Sequence, residues 1–261
     1  MMAMPFTVVD AFADRPFTGN PAAVMLLDAW PDDALLQSIA LEHNLSETAF
    51  AVPMTGEADY ELRWFTPTTE VAMCGHATLA SGHVLIGDRR AVRFATRRAG
   101  VLIVGRDGDG YTLDLPATRV APAPDAALLA ALHVEGDVFA SVSGAEQTSI
   151  VLVADAATVR GCAPDMAALA ACEVMAIVTA PGDVADIVSR VFVPAWGVDE
   201  DPVTGSAHAA LAPFWTERLG RDRLTAFQAS ARGGHLTCTL AGERAVLGGR
   251  CVTVMRGQLL L

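Results

Sequence analysis

The chain has 261 residues, of which 52% are hydrophobic and 18% charged. This composition supports one large domain or two of ordinary size and excludes a disordered protein. Its net charge of −12 at pH 7 repels nucleic acid and anionic membranes, and its basic residues form only short pairs, so we expect neither as a partner. No run reaches the roughly 18 apolar residues that span a bilayer.

The N-terminal segment and the cysteines indicate the compartment. The first six residues do not have the basic start and long apolar run of a signal peptide, so we expect a cytoplasmic protein. The five cysteines are odd in number and widely spaced, which favours free thiols. Only Cys74 and His76 lie close together, and they lack a second pair nearby, so we expect no metal site.

The first half contains, in chain order, a helix, a strand, a second helix and a hairpin. Pro31 and Asp32 predict a helix start, because a first turn does not need the missing amide and because the carboxylate meets the helix dipole. Residues 63–67 alternate like a strand that stops at a proline. Gly75 then opens a helix of small residues, and residues 107–110 are typical of a hairpin turn.

The second half repeats this order. Residues 190–194 match residues 63–67, Pro164 and Asp165 begin a helix as Pro31 and Asp32 do, and Gly205 opens another helix of small residues. Each feature lies about half a chain length from its counterpart. The sequence therefore indicates a duplication.

The duplication predicts the domain organisation. We expect an N-terminal lobe, 1–118, and a C-terminal lobe, 119–261, divided in the turn-rich segment 116–124. Many strands and about two helices in each half indicate an α+β fold, in which a curved sheet surrounds the helix of small residues.

Two matching turns lead into those helices, one at Cys74 to His76 and the other at Thr204 to Ser206. A glycine at this position exposes the first amides of a helix, which together with the dipole bind an anion. A purely structural role for Gly75, as part of a core helix, is equally compatible with the first turn alone. The second turn favours a pair of amide clusters directed at one substrate.

Two carboxylates lie close to these elements. Asp201 precedes the second turn, where it is either a helix cap or a site residue. Glu47 begins an apolar strand, where it is either on an exposed edge or held in a site that suits proton transfer. The spacing alone favours the exposed edge for Glu47.

A larger set of motifs, in order along almost the whole chain, resembles the phenazine-biosynthesis isomerase (PhzF-like) family, which has the diaminopimelate-epimerase-like fold. The matching segments are residues 10–12, 17–24, 44–50, 63–67, 75–80, 201–207 and 228–234. The resemblance implies two pseudo-symmetric lobes, each a rolled, mostly antiparallel sheet around a central helix, with the active site in the cleft. It also implies that the final strand, near 251–261, returns to the first lobe, and it suggests a homodimer.

The resemblance also implies a reaction and its residues. In that family a glutamate, here Glu47, shuttles a proton on a small carboxylic acid without a cofactor. His76 and Asp201 carry over as further catalytic residues. The residues that carry over as substrate-binding are Asn20, Cys74, Gly75, Ala77, Gly205, Ser206 and Ala207.

Three other functions are alternatives to the isomerase. A racemase or epimerase of the same fold would use Cys74 as one of two bases, but Thr204 occupies the position of the second thiol, and its hydroxyl is a far weaker acid. A binding protein would keep the cleft without turnover. A hydrolase using Cys74 and His76 is disfavoured, because we expect residues separated by one glycine at a helix start to point apart.

Overall fold

A computed structural model describes residues 3–142 and 147–261; Met1 and Met2, part of the segment inspected for a signal peptide, lie outside the described residues. The chain divides into two compact units. The first consists of Met1–Asp114 and Gly248–Leu261, and the second of Leu115–Leu247. The described helices do not include one with the length and apolar character needed to cross a membrane.

The first unit is a mostly antiparallel sheet with two helices. Its strands are β1 (Ala3–Ala11), β2 (Asn20–Leu26), β3 (Glu47–Pro53), β4 (Tyr60–Phe65), β5 (Glu70–Val71), β6 (Ala91–Thr96), β7 (Val101–Asp107) and β8 (Gly110–Pro116), with α1 (Asp33–His43) after β2 and α2 (Gly75–Leu85) after β5. A later strand, labelled β18 (Cys251–Leu260), pairs antiparallel with β1.

The second unit repeats this arrangement. Its elements are β9 (Val120–Pro122), α3 (Ala126–Leu132), β10 (Asp137–Ser141), β11 (Thr148–Leu152), α4 (Ala156–Gly161), α5 (Met166–Ala170), β12 (Met175–Pro181), β13 (Ile187–Val193), a 3₁₀ turn (Pro194–Trp196), β14 (Val198–Asp201), α6 (Gly205–Leu219), β15 (Arg223–Gln228), β16 (Gly234–Ala241) and β17 (Arg244–Gly249). Strand β9 is a three-residue strand within the turn-rich segment 116–124, and it forms because β10 supplies a pairing partner.

Strand pairing shows the duplication directly. In the first unit β2 and β3 are parallel, β3 and β4 antiparallel, and β4 is parallel to β6. In the second unit β11 and β12 are parallel, β12 and β13 antiparallel, and β13 is parallel to β15. The α+β fold with two similar units is thus confirmed.

A bidentate ion pair is also repeated. The guanidinium of Arg63 on β4 binds both oxygens of Glu70 at 2.8 Å and lies 5.0 Å from the Phe65 ring. On β13, Arg190 binds both oxygens of Glu200 at 2.7 and 2.8 Å and lies 4.8 Å from a phenylalanine ring two residues later. Bidentate pairs of this kind fix orientation as well as charge, so each holds its short strand, β5 or β14, against the sheet.

The central helix of each unit is enclosed by strands. Helix α2 contacts β1, β2, β3, β6, β7 and β18, and α6 contacts β11, β15 and β16. Such enclosure requires small side chains. Gly82 of α2 shows this, because an added Cβ would overlap the Val104 side chain of β7.

Helix α6 contains Pro213, which cannot donate the usual amide hydrogen bond to the carbonyl four residues earlier. That carbonyl, of Ala209, instead accepts a hydrogen bond of 3.1 Å from the amide of Thr118. The segment between β8 and β9 therefore supplies the hydrogen-bond donor that the proline cannot.

Substituting Gly82→Ala is expected to destabilise the protein by about 1–3 kcal/mol, because the new methyl group meets a fully buried valine in a packed core. Urea unfolding measures the loss. Gly161→Ala is the matched control, since a Cβ at this helical position meets nothing within 4 Å. Equal stability of the two variants would contradict the close packing of α2.

His208 of α6 is fully buried, and burial lowers its pKa to about 4 even though the Thr204 carbonyl, 2.8 Å from Nδ1, opposes the shift. The folded protein thus binds this proton more weakly than the unfolded chain. Stability should fall as the pH drops from about 6.5 to about 4, by about 3 kcal/mol in total.

The unfolding free energy measured across that range tests this expectation. His208→Asn keeps a donor for the Thr204 carbonyl but does not titrate, so its slope with pH should be shallower than that of the wild type. His235→Asn, at an exposed position, should keep the wild-type slope. A wild-type slope in His208→Asn would show that His208 titrates normally.

Candidate functional site

Glu47 is held in the interior of a sheet. It is the first residue of β3, which pairs with β2 on one side and β4 on the other. Its side chain is 17% exposed. The expectation that Glu47 lies on an exposed edge strand is therefore wrong, because β3 has a neighbouring strand on each side.

The carboxylate of Glu47 faces the imidazole of His76. Oε2 of Glu47 lies 3.1 Å from Nε2 of His76, the second residue of α2, whose side chain is 4% exposed. Burial alone would lower the pKa of His76, but the charges and hydrogen bonds of Cys74 and Glu47 outweigh it, so this pKa lies well above its usual value. We assign the increase chiefly to Glu47, because Cys74 is neutral at pH 7.

Cys74 is the N-cap residue of α2, and its Sγ lies 3.5 Å from Nδ1 of His76. The expectation that these two side chains point apart was wrong: the extended backbone of Cys74 directs its thiol back over the first turn. Burial, together with the Glu47 charge, raises the pKa of Cys74 to about 11. A thiol with this pKa is a poor nucleophile at neutral pH, so the contact does not create an activated cysteine.

Glu47, Cys74 and His76 also offer three potential metal-ligand atoms within 4.8 Å of one another. Their shortest contacts use opposite nitrogens of the imidazole, Nε2 for the carboxylate and Nδ1 for the sulfur. One ion can bind only one of these nitrogens. The arrangement fits a hydrogen-bonded chain better than a tetrahedral metal site.

Asn20 completes this group. It is fully buried at the start of β2, and its side-chain amide lies 3.1 Å from Nδ1 of His76. The first unit therefore brings together four of the residues singled out in the sequence, namely Asn20, Glu47, Cys74 and His76. Gly75 and Ala77 lie in the same helical turn, and both are buried.

The second unit holds the other predicted residues. Asp201 ends β14, and its Oδ2 accepts a hydrogen bond of 2.5 Å from the hydroxyl of Thr204. Thr204, the N-cap of α6, therefore orients a carboxylate in this structure. Gly205, Ser206 and Ala207 form the first turn of α6, and Ser206 is partly exposed.

Equivalent positions in the two units carry different chemistry. Glu47 begins β3 and faces His76 of α2, whereas Met175 begins β12 and its sulfur lies 3.8 Å from the hydroxyl of Ser206 on α6. Glu47 and His76 can bind and transfer a proton, whereas the thioether of Met175 cannot. Duplication has thus produced one pair suited to proton transfer and one without a titratable group.

The starts of α2 and α6 differ from those of the other helices. Of the six α-helices in the described ranges, α1, α3, α4 and α5 have an aspartate N-cap whose carboxylate accepts amide hydrogen bonds. The N-caps of α2 and α6, Cys74 and Thr204, make no side-chain cap bond. The two central helices thus keep first-turn amides that a bound anion can use.

Gln228 is a residue of this region to which the sequence assigned no role. It is fully buried at the end of β15, where its Oε1 accepts the Thr204 amide at 2.9 Å and its Nε2 donates to the Asp201 carbonyl at 2.7 Å. The sequence contained one signal for such a role, namely the position of Gln228. It follows Leu224 and Ala226 at alternate positions on the buried face of one strand. A polar residue at a core position of a strand needs a specific partner.

Comparisons with known proteins give a consistent result. A family model described as phenazine biosynthesis-like protein matches residues 9–257. Two Pseudomonas aeruginosa proteins, each described as an uncharacterized isomerase, are 49% and 50% identical to the chain over the full length of both partners. A human phenazine biosynthesis-like domain-containing protein is 34% identical over 99% of each chain.

Solved structures show the same similarity. The crystal structure of a phenazine biosynthesis protein of the PhzF family from Enterococcus faecalis matches with a TM-score of 0.91 and 40% identity, over 100% of both chains. A predicted epimerase from Pseudomonas aeruginosa matches with a TM-score of 0.77 and 22% identity over 99% of both chains. At this lower identity the similarity shows a common fold.

Gln228→Leu is expected to destabilise the protein by about 1–3 kcal/mol, because it leaves the buried amide of Thr204 without its acceptor. Chemical denaturation gives the change in the free energy of unfolding. Gln258→Leu, at an exposed position of β18, should stay within about 0.5 kcal/mol of the wild type. A Gln228 variant as stable as this control would show that Thr204 does not depend on Gln228.

Proposed function

Because the chain belongs to the phenazine biosynthesis-like protein family, we propose that it is a cofactor-independent isomerase that moves a proton on a small carboxylic acid, with Glu47 as general acid and base. The observation that carries the proposal is the contact between Glu47 and His76, a carboxylate and an imidazole 3.1 Å apart at the mouth of an otherwise apolar strand. A half-buried carboxylate beside an imidazole is a common proton carrier in enzymes.

The proposed reaction has two proton transfers. In the first, an oxygen of Glu47 takes a proton from a substrate carbon; the C–H bond breaks, an O–H bond forms, and the electron pair enters the conjugated system of the substrate. In the second, Glu47 returns the proton to a different carbon and regains its negative charge. His76 keeps its own proton throughout and holds the carboxylate through Oε2.

A carboxylate is the proposed ligand of each helix start, taken separately in the two units. The uncapped first turns of α2 and α6 supply amides, at Gly75 to Ala77 and at Gly205 to Ala207, and Ser206 supplies a hydroxyl. Donors directed at an anion also stabilise the charge that develops when the carbon is deprotonated. Asp201, held by Thr204, is proposed to hydrogen-bond polar groups of a ligand at the start of α6.

A cysteine-based racemase or epimerase finds less support. It needs two bases that ionise readily on opposite faces of a carbon. Cys74 has a pKa of about 11, and the Thr204 hydroxyl already donates to Asp201. Neither group is prepared to act as a base at neutral pH.

The proposal is tested by proton exchange in heavy water. Small unsaturated and amino carboxylic acids are incubated with the protein, and mass spectrometry detects deuterium incorporated into a compound or its isomer. Glu47→Gln keeps the size and the hydrogen-bonding capacity of the side chain but cannot take up a proton. It should lower the rate by at least about 10²-fold.

Glu42→Gln is the matched control, because Glu42 is an exposed residue of α1 only five positions earlier. Its rate should equal that of the wild type. Near wild-type exchange by Glu47→Gln would refute the assignment of Glu47. Loss of exchange in Cys74→Ser but not in Glu47→Gln would favour the cysteine-based epimerase instead.

A further inference from the structure

The side chain of Asn20 lies on the far side of the His76 ring from Glu47. Its Nδ2 is 3.1 Å from Nδ1 of His76, whereas Glu47 lies 3.1 Å from Nε2. Asn20 and the His76 ring are both buried. The imidazole is therefore held between an amide on one nitrogen and a carboxylate on the other.

The loop before β2 fixes the position of Asn20. Gly19 has a φ of +66°, and a Cβ there would overlap the Ala11 carbonyl of β1, so the chain can make this turn only with glycine. The amide of Phe17 donates to the buried carboxylate of Asp10 at 2.8 Å. Both contacts hold the loop against β1. Asn20 directly follows this loop, and its side chain is thereby placed beside His76.

An amide donor at Nδ1 requires a lone pair on that nitrogen. A neutral imidazole carries one proton, so the proton then belongs to Nε2, the nitrogen that lies 3.1 Å from Oε2 of Glu47. The opposite tautomer would place the lone pair of Nε2 against a carboxylate oxygen. We propose that Asn20 is a positioning residue, which keeps the ring proton of neutral His76 on Nε2 and thereby directs it to Oε2 of Glu47.

In the neutral ring this arrangement has a catalytic consequence, which rests on the proposed function. With Oε2 occupied by the Nε2 proton, the other carboxylate oxygen of Glu47 is left to receive the proton from the substrate carbon. The carboxylate is also held in one orientation. Asn20 thus acts on the reaction through His76, a role different from the substrate binding that the sequence resemblance implied for it.

Three groups on three elements face the ring, namely Glu47 from β3, Asn20 from β2 and Cys74 at the start of α2. Cys74 competes with Asn20 for Nδ1, but its sulfur is farther away, at 3.5 Å, and an S–H group is a weak donor. Asn20 is therefore assigned as the determinant of the tautomer, and the two residues can be separated by substitution.

The test is nitrogen NMR of the protein labelled with ¹⁵N-histidine, with the His76 signals assigned from the His76→Gln variant. Spectra are recorded through the titration of His76 and on its alkaline side. On the alkaline side, where the ring is neutral, the wild type should show a protonated Nε2 and an unprotonated Nδ1. Cys74→Ala should show the same pattern.

Asn20→Asp replaces the donor with an acceptor of the same size. It should protonate Nδ1 as well and raise the His76 titration midpoint by about 1–3 pH units. Asn20→Ala, which buries no new charge, should let the neutral ring populate both tautomers. Far-UV circular dichroism shows whether each variant is folded.

A neutral wild-type ring protonated on Nδ1 would overturn the inference. So would a tautomer altered by Cys74→Ala but by neither Asn20 variant. The spectra need no substrate, so the two proposals fail separately. Turnover by Glu47→Gln would refute the proposed function and leave the tautomer assignment unchanged.

Discussion

Each half of this protein encloses a helix within a sheet, and the candidate site depends on that constraint. Nine residues of α2 are buried, so its side chains are small or have partners within the surrounding strands. A histidine in such a helix cannot direct its ring to water. His76 is accommodated because β2 and β3 each begin with a polar residue at the level of its ring. The same two polar residues, Asn20 and Glu47, therefore provide polar partners for the buried His76 ring and form part of the candidate site.

The two units share their structural framework but differ in the chemistry of equivalent side chains. The framework repeats down to the bidentate pair of Arg63 with Glu70 and of Arg190 with Glu200, each beside an aromatic ring. Where the first unit has Glu47 against His76, the second has Met175 against Ser206. A single proton carrier suits a reaction that removes and returns a proton on one side of a substrate. Inversion at a carbon would require two.

Local features of the sequence predicted much of the fold. The helix expected to start at Pro31 and Asp32 begins at Asp33, with Asp32 as an N-cap whose carboxylate reaches an amide three residues away. The hairpin between β7 and β8 forms at the glycine-containing turn, as expected. Strand β9 was missed, because its short segment becomes a strand only through pairing with β10. Such pairing depends on the tertiary fold and leaves little local pattern.

The resemblance singled out residues that the fold brings together, but it did not predict their contacts. Glu47 and His76 were singled out through motif resemblance, yet their separation and the contact of Cys74 with His76 follow from side-chain directions that spacing does not specify. Asn20 reaches a histidine 56 positions away, and Gln228 supports a turn 24 positions earlier. Long-range hydrogen bonds between buried polar groups are required by burial, but their partners are determined only by the folded chain.

The pairing of β1 with β18 affects how the protein is made. The second unit is continuous in sequence, whereas the first combines segments that flank it on both sides. On the ribosome, β18 emerges only after the second unit has been synthesised, so until then one side of β1 has no strand partner. An unpaired edge of this kind is a template for pairing with another chain. During synthesis the incomplete first unit therefore exposes one edge of β1, which can pair with another chain until β18 covers it.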